Sequence, residues 1–165
     1  MYDEPFAESA LPGGPHHLLR SLCGRWQGIS RTWFEPGRLA DESPIRGSFR
    51  PLLEGRFVIH EYEGSLMGEP REGVFLFGYN LQRLQFEAAW IDNRHNGTAI
   101  MGCVGAAGAD GFWVLGHYPD PEGGPDWRWR TELSVLGPDH LVITAYNISP
   151  AGEEAKAVET DLLRA

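Results

Sequence analysis

The sequence predicts an all-β protein, folded as one closed antiparallel barrel of about ten strands with a short helix capping one end. First, 21 glycines and 12 prolines separate short runs that are apolar or that alternate between apolar and polar residues. Second, most connections between these runs are short, which is typical of an antiparallel meander. Third, about ten strands are too many for one flat open sheet in a small domain, so a closed sheet is the economical arrangement.

The chain of 165 residues fits one domain that can bury an apolar core without disulfides or metal. Residues 1–14 are acidic and are expected to form a flexible N-terminal tail. Residues 15–165 are expected to form the barrel domain. Cys23 and Cys103 lie far apart in sequence, and we interpret both as reduced, structural thiols.

The capping helix is predicted from the segment PHHLLRSLCG, residues 15–24. Pro15 suits the first helical position and Gly24 suits a left-handed stop, while three leucines fall on one side between them. This is the one clear helix signal in the chain. The helix is short enough to plug or cap the end of a barrel.

Ten strands are expected after this helix, each bounded by turn residues such as Gly, Pro, Asn and Asp. They cover residues 25–34, 45–53, 56–64, 73–79, 83–91, 98–104, 111–117, 127–135, 140–148 and 155–163. The last strand alternates well, because Val158, Thr160 and Leu162 share one face. Residues 55–62 and 73–79 are apolar on both faces, so a dimer partner or the N-terminal helix should cover their outer side.

A short helix, then Gly24-x-Trp26 at the start of the first strand and Arg164 near the end of the last, resembles the calycin superfamily of lipocalins and fatty-acid-binding proteins. The resemblance implies that Trp26 lies across the closed end of the barrel and that Arg164 packs over it and bonds to nearby backbone. An indole face is also a favourable partner for a guanidinium. Gly24, Trp26 and Arg164 are therefore expected to have structural roles.

A second resemblance covers about residues 16–164 and follows a bacterial family, domain of unknown function fifteen-seventy-nine. Its pattern is similar, in order, to HLLRSLCGRWQG, FRPLLEGRFVIHEYEG, GEPREGVFLFGYN, FEAAWIDN and GEEAKAVETDLLR. Asn80 stands where the family usually has aspartate, and Leu162 stands where an aromatic residue is common. The family implies a lipocalin-like barrel and no established activity.

The charge balance argues against several classes of partner. Fourteen basic and 23 acidic residues give a net charge of −9, which repels nucleic acid phosphates and anionic lipid surfaces. No stretch approaches the length of a membrane span, and the N-terminus lacks the pattern of a secretory signal, so a cytoplasmic protein is expected.

No catalytic or metal-binding motif is complete. The segment GISRT, residues 28–32, lacks the second glycine of a nucleophile elbow, and HEYEG, residues 60–64, lacks the second histidine of a zincin helix. The six histidines are scattered, and no catalytic residue or metal ligand is assigned. They stand at positions 16, 17, 60, 95, 117 and 140.

Haem is disfavoured as a cofactor, and none is assigned. Nitrobindin-type calycins use a histidine near the end of the barrel as proximal ligand, and residues 130–165 contain only His140, at the start of a strand. A haem site would need one inward histidine beside an apolar slot.

The interior is the expected binding site. If Trp26 points inward, alternation also turns Gly28, Ser30 and Thr32 inward, which leaves space there. Aromatic walls and polar tips from other strands would then hold a small molecule, although each aromatic residue could equally pack a filled core. The residues expected to contact a ligand are Ser30, Thr32, Arg50, His60, Tyr62, Phe86, Trp90, His117 and Arg130.

The segment DWRWRTEL, residues 126–133, sets two tryptophans on one strand face and Arg128 and Arg130 on the other. Interleaved aromatic and basic residues can bind single-stranded nucleic acid, but the acidic chain argues against that use. A packed aromatic face opposite a charged face is the commoner arrangement. The inward direction of Arg50 and Arg130 depends on the strand register.

Three functional classes follow. The first is a protein that binds a small, largely apolar molecule inside the barrel. The second is an isomerase or hydrolase in the same pocket, which needs a carboxylate such as Glu61 or Glu63 and a histidine such as His60 or His117 to converge. Alternation along the strand places His60 on the face opposite Glu61 and Glu63, so they cannot share a pocket without a bulge. The third is a homodimeric interaction module with a filled barrel.

Overall fold

The protein is a closed ten-stranded antiparallel barrel preceded by two short helices, as the sequence predicts except for the first helix. A computed structural model describes residues 3–165. The helices are α1 (Asp3–Ser9) and α2 (Pro15–Ser21), and one 3₁₀ turn spans Leu53–Gly55. The strands are β1 (Gly24–Glu35), β2 (Arg38–Leu52), β3 (Phe57–Leu66), β4 (Glu69–Asn80), β5 (Gln85–Asp92), β6 (Met101–Ala107), β7 (Gly111–Tyr118), β8 (Trp127–Gly137), β9 (His140–Ile148) and β10 (Glu154–Arg164).

The first and last strands close the barrel. Each strand pairs with its neighbours in sequence, and β1 pairs antiparallel with both β2 and β10. The pairing of β1 with β10 runs from Trp26 opposite Arg164 to Thr32 opposite Val158. Beyond that point both strands continue, but they no longer pair with each other.

Several strands begin or end outside their predicted bounds. Residues 35–44 were expected as a loop because they are rich in turn residues, yet β2 starts at Arg38 after a tight turn in which Gly37 has a φ of 73°. Pairing with β1 satisfies the backbone of this polar stretch. Strand β4 begins four residues earlier than predicted, at Glu69, and β5 extends to Asp92.

Helix α1 lies in the segment expected to be a flexible tail. Its Phe6 ring meets the His16 ring edge-on, with centroids 4.9 Å apart, and Asp3 pairs with Arg56 at 2.7 Å. Ser9 and the His16 ring are joined by a hydrogen bond of 2.7 Å. The flexibility of residues 1–14 stays a prediction.

The core fills the half of the barrel nearest the helices, and part of the outer surface remains apolar. Leu19 and Leu22 close the base beneath the barrel interior and are fully buried. On the outer face, Leu76, Ile91 and Val104 stay at least one-third exposed, so the N-terminal helices do not cover this face. The expectation of a homodimer stays a prediction. Among residues 3–165, no helix has the length and apolar character needed to cross a membrane.

Candidate functional site

The two ends of the barrel differ in packing and polarity. The end against which α2 packs, here called the helix end, is filled by large buried side chains. They are Trp26, Phe49, Phe77, Phe86, Phe112 and Leu133. The opposite end, here called the mouth, holds most of the buried polar side chains. Any ligand site is therefore more accessible from the mouth.

Trp26 and Arg164 close the helix end. The guanidinium carbon of Arg164 lies 4.3 Å from the Trp26 ring centroid, and the Trp26 indole N–H donates to the Leu22 carbonyl at 2.8 Å. Arg164 donates to the Cys23 carbonyl at 2.7 Å. Gly24 has a φ of 131°, and a Cβ there would lie 2.6 Å from an Arg164 nitrogen. This arrangement requires glycine and ties the last strand to α2.

A buried polar network lies between the core and the mouth. Arg71 donates to Asp92 through Nε at 3.2 Å and to the Ser30 hydroxyl at 3.1 Å. The Tyr62 hydroxyl donates to the same Asp92 oxygen at 2.5 Å and accepts from the Trp90 indole N–H at 2.9 Å. Both charged side chains are almost wholly buried, with 6% of Arg71 and none of Asp92 exposed. The charge of Arg71 is thus compensated within the barrel.

Asp92 also fixes the loop that follows β5. Its second oxygen accepts backbone N–H bonds from Arg94 at 2.7 Å and His95 at 2.9 Å, and the His95 ring lies 3.3 Å away. Burial disfavours the Asp92 anion, but the His95 hydrogen bond and the Arg71 charge outweigh it and hold the pKa of Asp92 well below its usual range. The His95 ring rests beside Trp129, with centroids 5.6 Å apart.

Burial raises the pKa values of two further side chains near this network. Burial raises the pKa of the Tyr62 hydroxyl well above its usual value, so Tyr62 stays protonated as a donor to Asp92. Gly73 leaves room for the side chain of this tyrosine, because a Cβ at position 73 would lie 2.1 Å from the Tyr62 oxygen. Burial also raises the pKa of the Cys103 thiol to about 12, so this thiol stays protonated and unreactive.

A small cavity of about 40 Å³ lies inside the barrel beside this network, and we call it the inner cavity. Its walls are both apolar and polar. They are formed by Ile45, Arg46, His60, Tyr62, Arg71, Phe75, Trp90, Trp129, Thr131, Ile143, Ala145, Val158, Thr160 and Leu162. A space of this size holds a group of a few heavy atoms or a few waters, because one water needs about 10–15 Å³.

His60 is an unusual residue in the wall of the inner cavity, because it is a buried polar side chain with unpaired nitrogens. It is 4% exposed, and neither ring nitrogen has a hydrogen-bond partner. Its ring stacks on Phe49 with centroids 3.9 Å apart and planes 6° from parallel. Burial, with the positive charge of Arg71 nearby, lowers the pKa of His60 to about 3. The imidazole is therefore neutral at pH 7 and offers one N–H donor and one nitrogen acceptor.

A second, larger pocket of about 420 Å³ opens at the mouth, and we call it the mouth pocket. It lies where β1 and β10 part beyond Thr32 and Val158. Its apolar and aromatic lining is supplied by Trp33, Phe34, Pro36, Trp127, Trp129, Ala155 and Ala157. Trp129 lines both the mouth pocket and the inner cavity, and its buried N–H has no partner among residues 3–165.

A wider depression of about 840 Å³ lies on the outer face of the first strands. Its charged walls include Arg46 and Glu63, which pair with each other at 2.5 Å and are both more than half exposed. Exposed ion pairs of this kind contribute little binding energy. The inner cavity, which lies inside the barrel beside the buried polar network, is the better candidate site.

Six of the nine expected ligand contacts point into the barrel: Ser30, Thr32, His60, Tyr62, Phe86 and Trp90 are buried. The structure brings His60, Tyr62 and Trp90 together at the inner cavity. Thr32 lines the mouth pocket instead. Phe86 stacks on Phe112 in the aromatic layer of the helix end, with centroids 4.2 Å apart.

The other three expected contacts lie on the outer face, which corrects their inward assignment. Arg50 pairs with Glu61 at 3.2 Å on the surface. His117 is exposed, and Arg130 pairs with exposed Glu154. The reason is strand parity: Phe49, Gly116 and Trp129 are the inward residues beside them, so the next residue along each strand must face outward.

Sequence reasoning missed Arg71, Asp92, His95 and Trp129 as site residues. The alternation of side chains along a strand could have identified two of them. Arg71 shares the face of Phe75, and Asp92 shares the face of Trp90. Both lie beyond the predicted ends of their strands at residues 73 and 91, so they were interpreted as loop residues. His95 belongs to a loop, and no sequence pattern marks its position.

Neither haem nor the carboxylate–histidine pair that the alternative enzyme class would require matches this interior. His60 is the histidine that faces the inner cavity, but about 40 Å³ beside it leaves no slot for a porphyrin, and Phe49 covers one ring face. Glu61 and Glu63 lie outside, paired with Arg50 and Arg46. Among residues 3–165, no group of three or more His, Cys, Asp or Glu side chains is placed to hold a metal ion.

Comparisons with known proteins give one family and one solved structure with a similar fold. A model of the family described as "Protein of unknown function (DUF1579)" matches residues 11–164. The structure of the S-type phycobiliprotein lyase CPES from Guillardia theta is similar with a TM-score of 0.54 and 11% identity, over 90% of this chain and 91% of that chain. A protein of unknown function from the DUF3598 family of Nostoc punctiforme covers 92% of this chain and 99% of its own, at 8% identity and a TM-score of only 0.26. No curated protein matches the chain.

Proposed function

Because the chain belongs to the DUF1579 family of proteins of unknown function, whose description names no activity, we propose from the geometry that it binds a small molecule through the mouth of its barrel. The ligand's apolar body occupies the mouth pocket, and one end of the ligand points toward the inner cavity. The lyase from Guillardia theta has a similar barrel, but at 11% identity this likeness supports the fold alone.

One observation carries the proposal: the mouth pocket and the inner cavity, which lies beside the buried polar network, share one lining side chain, Trp129. The mouth pocket, at about 420 Å³, falls within the range of roughly 300–1,000 Å³ that is common for small-molecule sites. Its apolar walls supply the driving force for binding, and the few convergent polar groups behind them would fix the orientation of the ligand.

The expected affinity for a non-optimised probe is weak. A ligand that removes about 200 Å² of apolar surface from water gains roughly 5 kcal/mol. Hydrogen bonds at the polar end add roughly 1–3 kcal/mol. Association costs at least about 4 kcal/mol, which leaves at most about 4 kcal/mol and corresponds to a Kd of about 1 mM.

The test uses 1-anilinonaphthalene-8-sulfonate as a fluorescent probe and one variant that fills the mouth pocket. Ala155 lines this pocket on β10 and is partly exposed, so Ala155→Trp occupies the pocket without entering the core. The matched control is Ala106→Trp, which adds the same side chain to an exposed position on β6. We expect the probe to bind wild type and the control alike, and the Ala155→Trp variant at least about tenfold more weakly.

Two results would contradict the proposal. Equal binding by all three proteins would place the probe outside the mouth pocket. No binding by any of them, with no ligand retained in native mass spectrometry, would instead favour a filled barrel that serves as an interaction module. Light scattering after size exclusion then measures whether such a module is a homodimer.

A further inference from the structure

We propose that the inner cavity receives an uncharged polar group of the ligand, one that carries both a hydrogen-bond donor and an acceptor, and that His60 selects it. A primary amide or a hydroxyl fits this description. This inference rests on the proposed function, because the rest of the same molecule lies in the mouth pocket.

The first step is the unsatisfied hydrogen-bonding capacity of His60. His60 lines the inner cavity, and its two ring nitrogens are buried and have no partner among residues 3–165. A buried polar group without a partner costs folding free energy, so such a group needs a reason to be there. The stacked Phe49 ring holds the imidazole in place, with its plane fixed. The cavity is therefore lined by an imidazole whose plane is set by this stack.

The second step is the chemistry of the partner. The neutral imidazole needs an acceptor for its N–H and a donor for its other nitrogen. Trp129 also lines this cavity, and its buried N–H, which has no partner in the described part of the chain, is available as a second donor. The hydroxyls of Thr131 and Thr160 complete a wall that can donate or accept. Purely apolar ligand ends leave these groups unsatisfied.

The third step is charge. Two cations, Arg71 and Arg46, line this cavity, and neither is free. Arg71 is paired with Asp92 at 3.2 Å and bonded to Ser30 at 3.1 Å. Arg46 is paired with Glu63 at 2.5 Å. An anionic ligand end would be desolvated without a free cation, and a cationic end would meet the Arg71 charge. An uncharged end avoids both costs.

The fourth step is size and reach. The inner cavity of about 40 Å³ admits a group of two or three heavy atoms at most, such as the head of an amide. Since Trp129 borders both spaces, a ligand whose body lies in the mouth pocket reaches the cavity by passing this one indole. The ligand class is thus an amphiphile with a neutral polar head.

The experiment compares four probes that share a phenylbutyl body and differ in the head group. They are 4-phenylbutanamide, 4-phenyl-1-butanol, 4-phenylbutyrate and butylbenzene, titrated by isothermal calorimetry at pH 7. We expect the amide and the alcohol to bind wild-type protein about tenfold more tightly than butylbenzene and 4-phenylbutyrate, since one or two added hydrogen bonds to a buried site give roughly this factor.

Variants assign the selectivity to His60. His60→Leu should bind all four probes like butylbenzene, and His60→Gln, which keeps a donor and an acceptor, should retain part of the preference for the amide. Trp129→Phe removes one donor while keeping an aromatic side chain, and it should weaken the amide but not butylbenzene. The matched control is Trp113→Phe on the outer side of β7, which should change nothing. Circular dichroism verifies that each variant folds.

The outcomes separate the two proposals. If butylbenzene and the amide bind wild type equally, and His60→Leu has no effect, the mouth pocket binds ligands but the inner cavity holds water only, and this inference fails. Tighter binding of 4-phenylbutyrate would also overturn it, because an anion would then be preferred. If no probe binds and 1-anilinonaphthalene-8-sulfonate does not bind either, the proposed function fails with it.

Discussion

The His60 ring is held in a fixed position, but its nitrogens lack hydrogen-bond partners in the described structure. This lack lowers the stability of the free protein, whereas it favours the binding of a polar ligand. One face stacks on Phe49, while both nitrogens stay unbonded in a site that is 4% exposed. A residue retained for packing alone would be apolar here, because an aromatic ring of similar size needs no partners. The position is therefore better suited to ligand recognition than to folding.

We expect His60→Phe to stabilise the free protein at pH 7. The variant keeps the stack on Phe49 and removes two unsatisfied buried groups, so the free energy of unfolding should rise by about 1–2 kcal/mol. Urea denaturation measures this change. A loss of stability would mean that His60 has a partner in solution, such as an ordered water.

The same residue makes stability depend on pH. In the unfolded chain a histidine binds a proton near pH 6.5, whereas the buried His60 stays neutral down to a pKa of about 3. Between these values the unfolded state holds the extra proton, so stability falls as the pH falls.

We expect the wild type to lose about 2 kcal/mol more than His60→Phe between pH 7.5 and pH 5. Urea denaturation at several pH values measures the free energy of unfolding of both proteins. The other titrating groups contribute equally to the two values, so the difference between them reports His60. Parallel pH profiles for the two proteins would contradict a buried, neutral His60.

Asp92→Asn should strongly destabilise the fold. The amide keeps the shape of the side chain but leaves Arg71 buried without its counter-ion, which costs about 3–5 kcal/mol. Glu63→Gln makes the same chemical change in an exposed pair with Arg46 and should cost less than about 1 kcal/mol. Chemical denaturation compares them, and similar losses would show that burial does not strengthen the inner pair.

At the scale of strands and helices, alternation explains both the successes and the errors of the sequence analysis. The order of the ten strands follows from apolar runs and turn residues, and Ser30 and Thr32 face inward because Trp26 does. Arg50 and His117 were assigned inward although their neighbours Phe49 and Gly116 occupy that face. A one-residue shift in register reverses the direction of every side chain, and sequence alone does not fix register where both faces are apolar.

The site was harder to predict than the strands because its polar residues lie at strand ends. Arg71 and Asp92 come just outside the predicted strands, in stretches rich in turn residues. Their pairing joins β4 to the end of β5 and depends on closure of the barrel, which brings Ser30 of β1 to the same network. Contacts between residues so far apart in sequence carry no local signal.

The contact between α2 and β10 gives a prediction for Arg164. Its guanidinium donates to the carbonyls of Cys23, Ser21 and Pro138 while it lies over Trp26. Lysine keeps the charge but lacks this planar fork. We expect Arg164→Lys to lower the free energy of unfolding by about 2 kcal/mol.

The control for Arg164→Lys is Arg38→Lys at an arginine whose side chain is 81% exposed, where the change should be within about 0.5 kcal/mol. Thermal and urea denaturation measure both variants. If Arg164→Lys were as stable as wild type, its charge rather than its hydrogen-bond geometry would hold the last strand to α2.

At the scale of the whole molecule, the two ends of the barrel contribute differently to stability and to the proposed site. The helix end is filled by aromatic rings and closed by α2, so it supplies most of the apolar burial. The mouth holds the buried Arg71 and Asp92, which cost desolvation, and the unbonded indole of Trp129. A barrel that is stabilised mainly at one end can tolerate a polar, partly open site at the other.

This division can be tested with Phe6→Ala. Phe6 packs on His16 and lies under the Arg56 guanidinium, 4.6 Å from its carbon, and it touches nothing that lines the mouth pocket. Removing a half-buried ring should lower the free energy of unfolding by about 1–2 kcal/mol. The Kd of 1-anilinonaphthalene-8-sulfonate should stay within about twofold of wild type, since the mouth is unchanged. Weaker binding in Phe6→Ala, as large as in Ala155→Trp, would mean that the two ends fold and open as one unit, and the site could not then be modified independently of the helices.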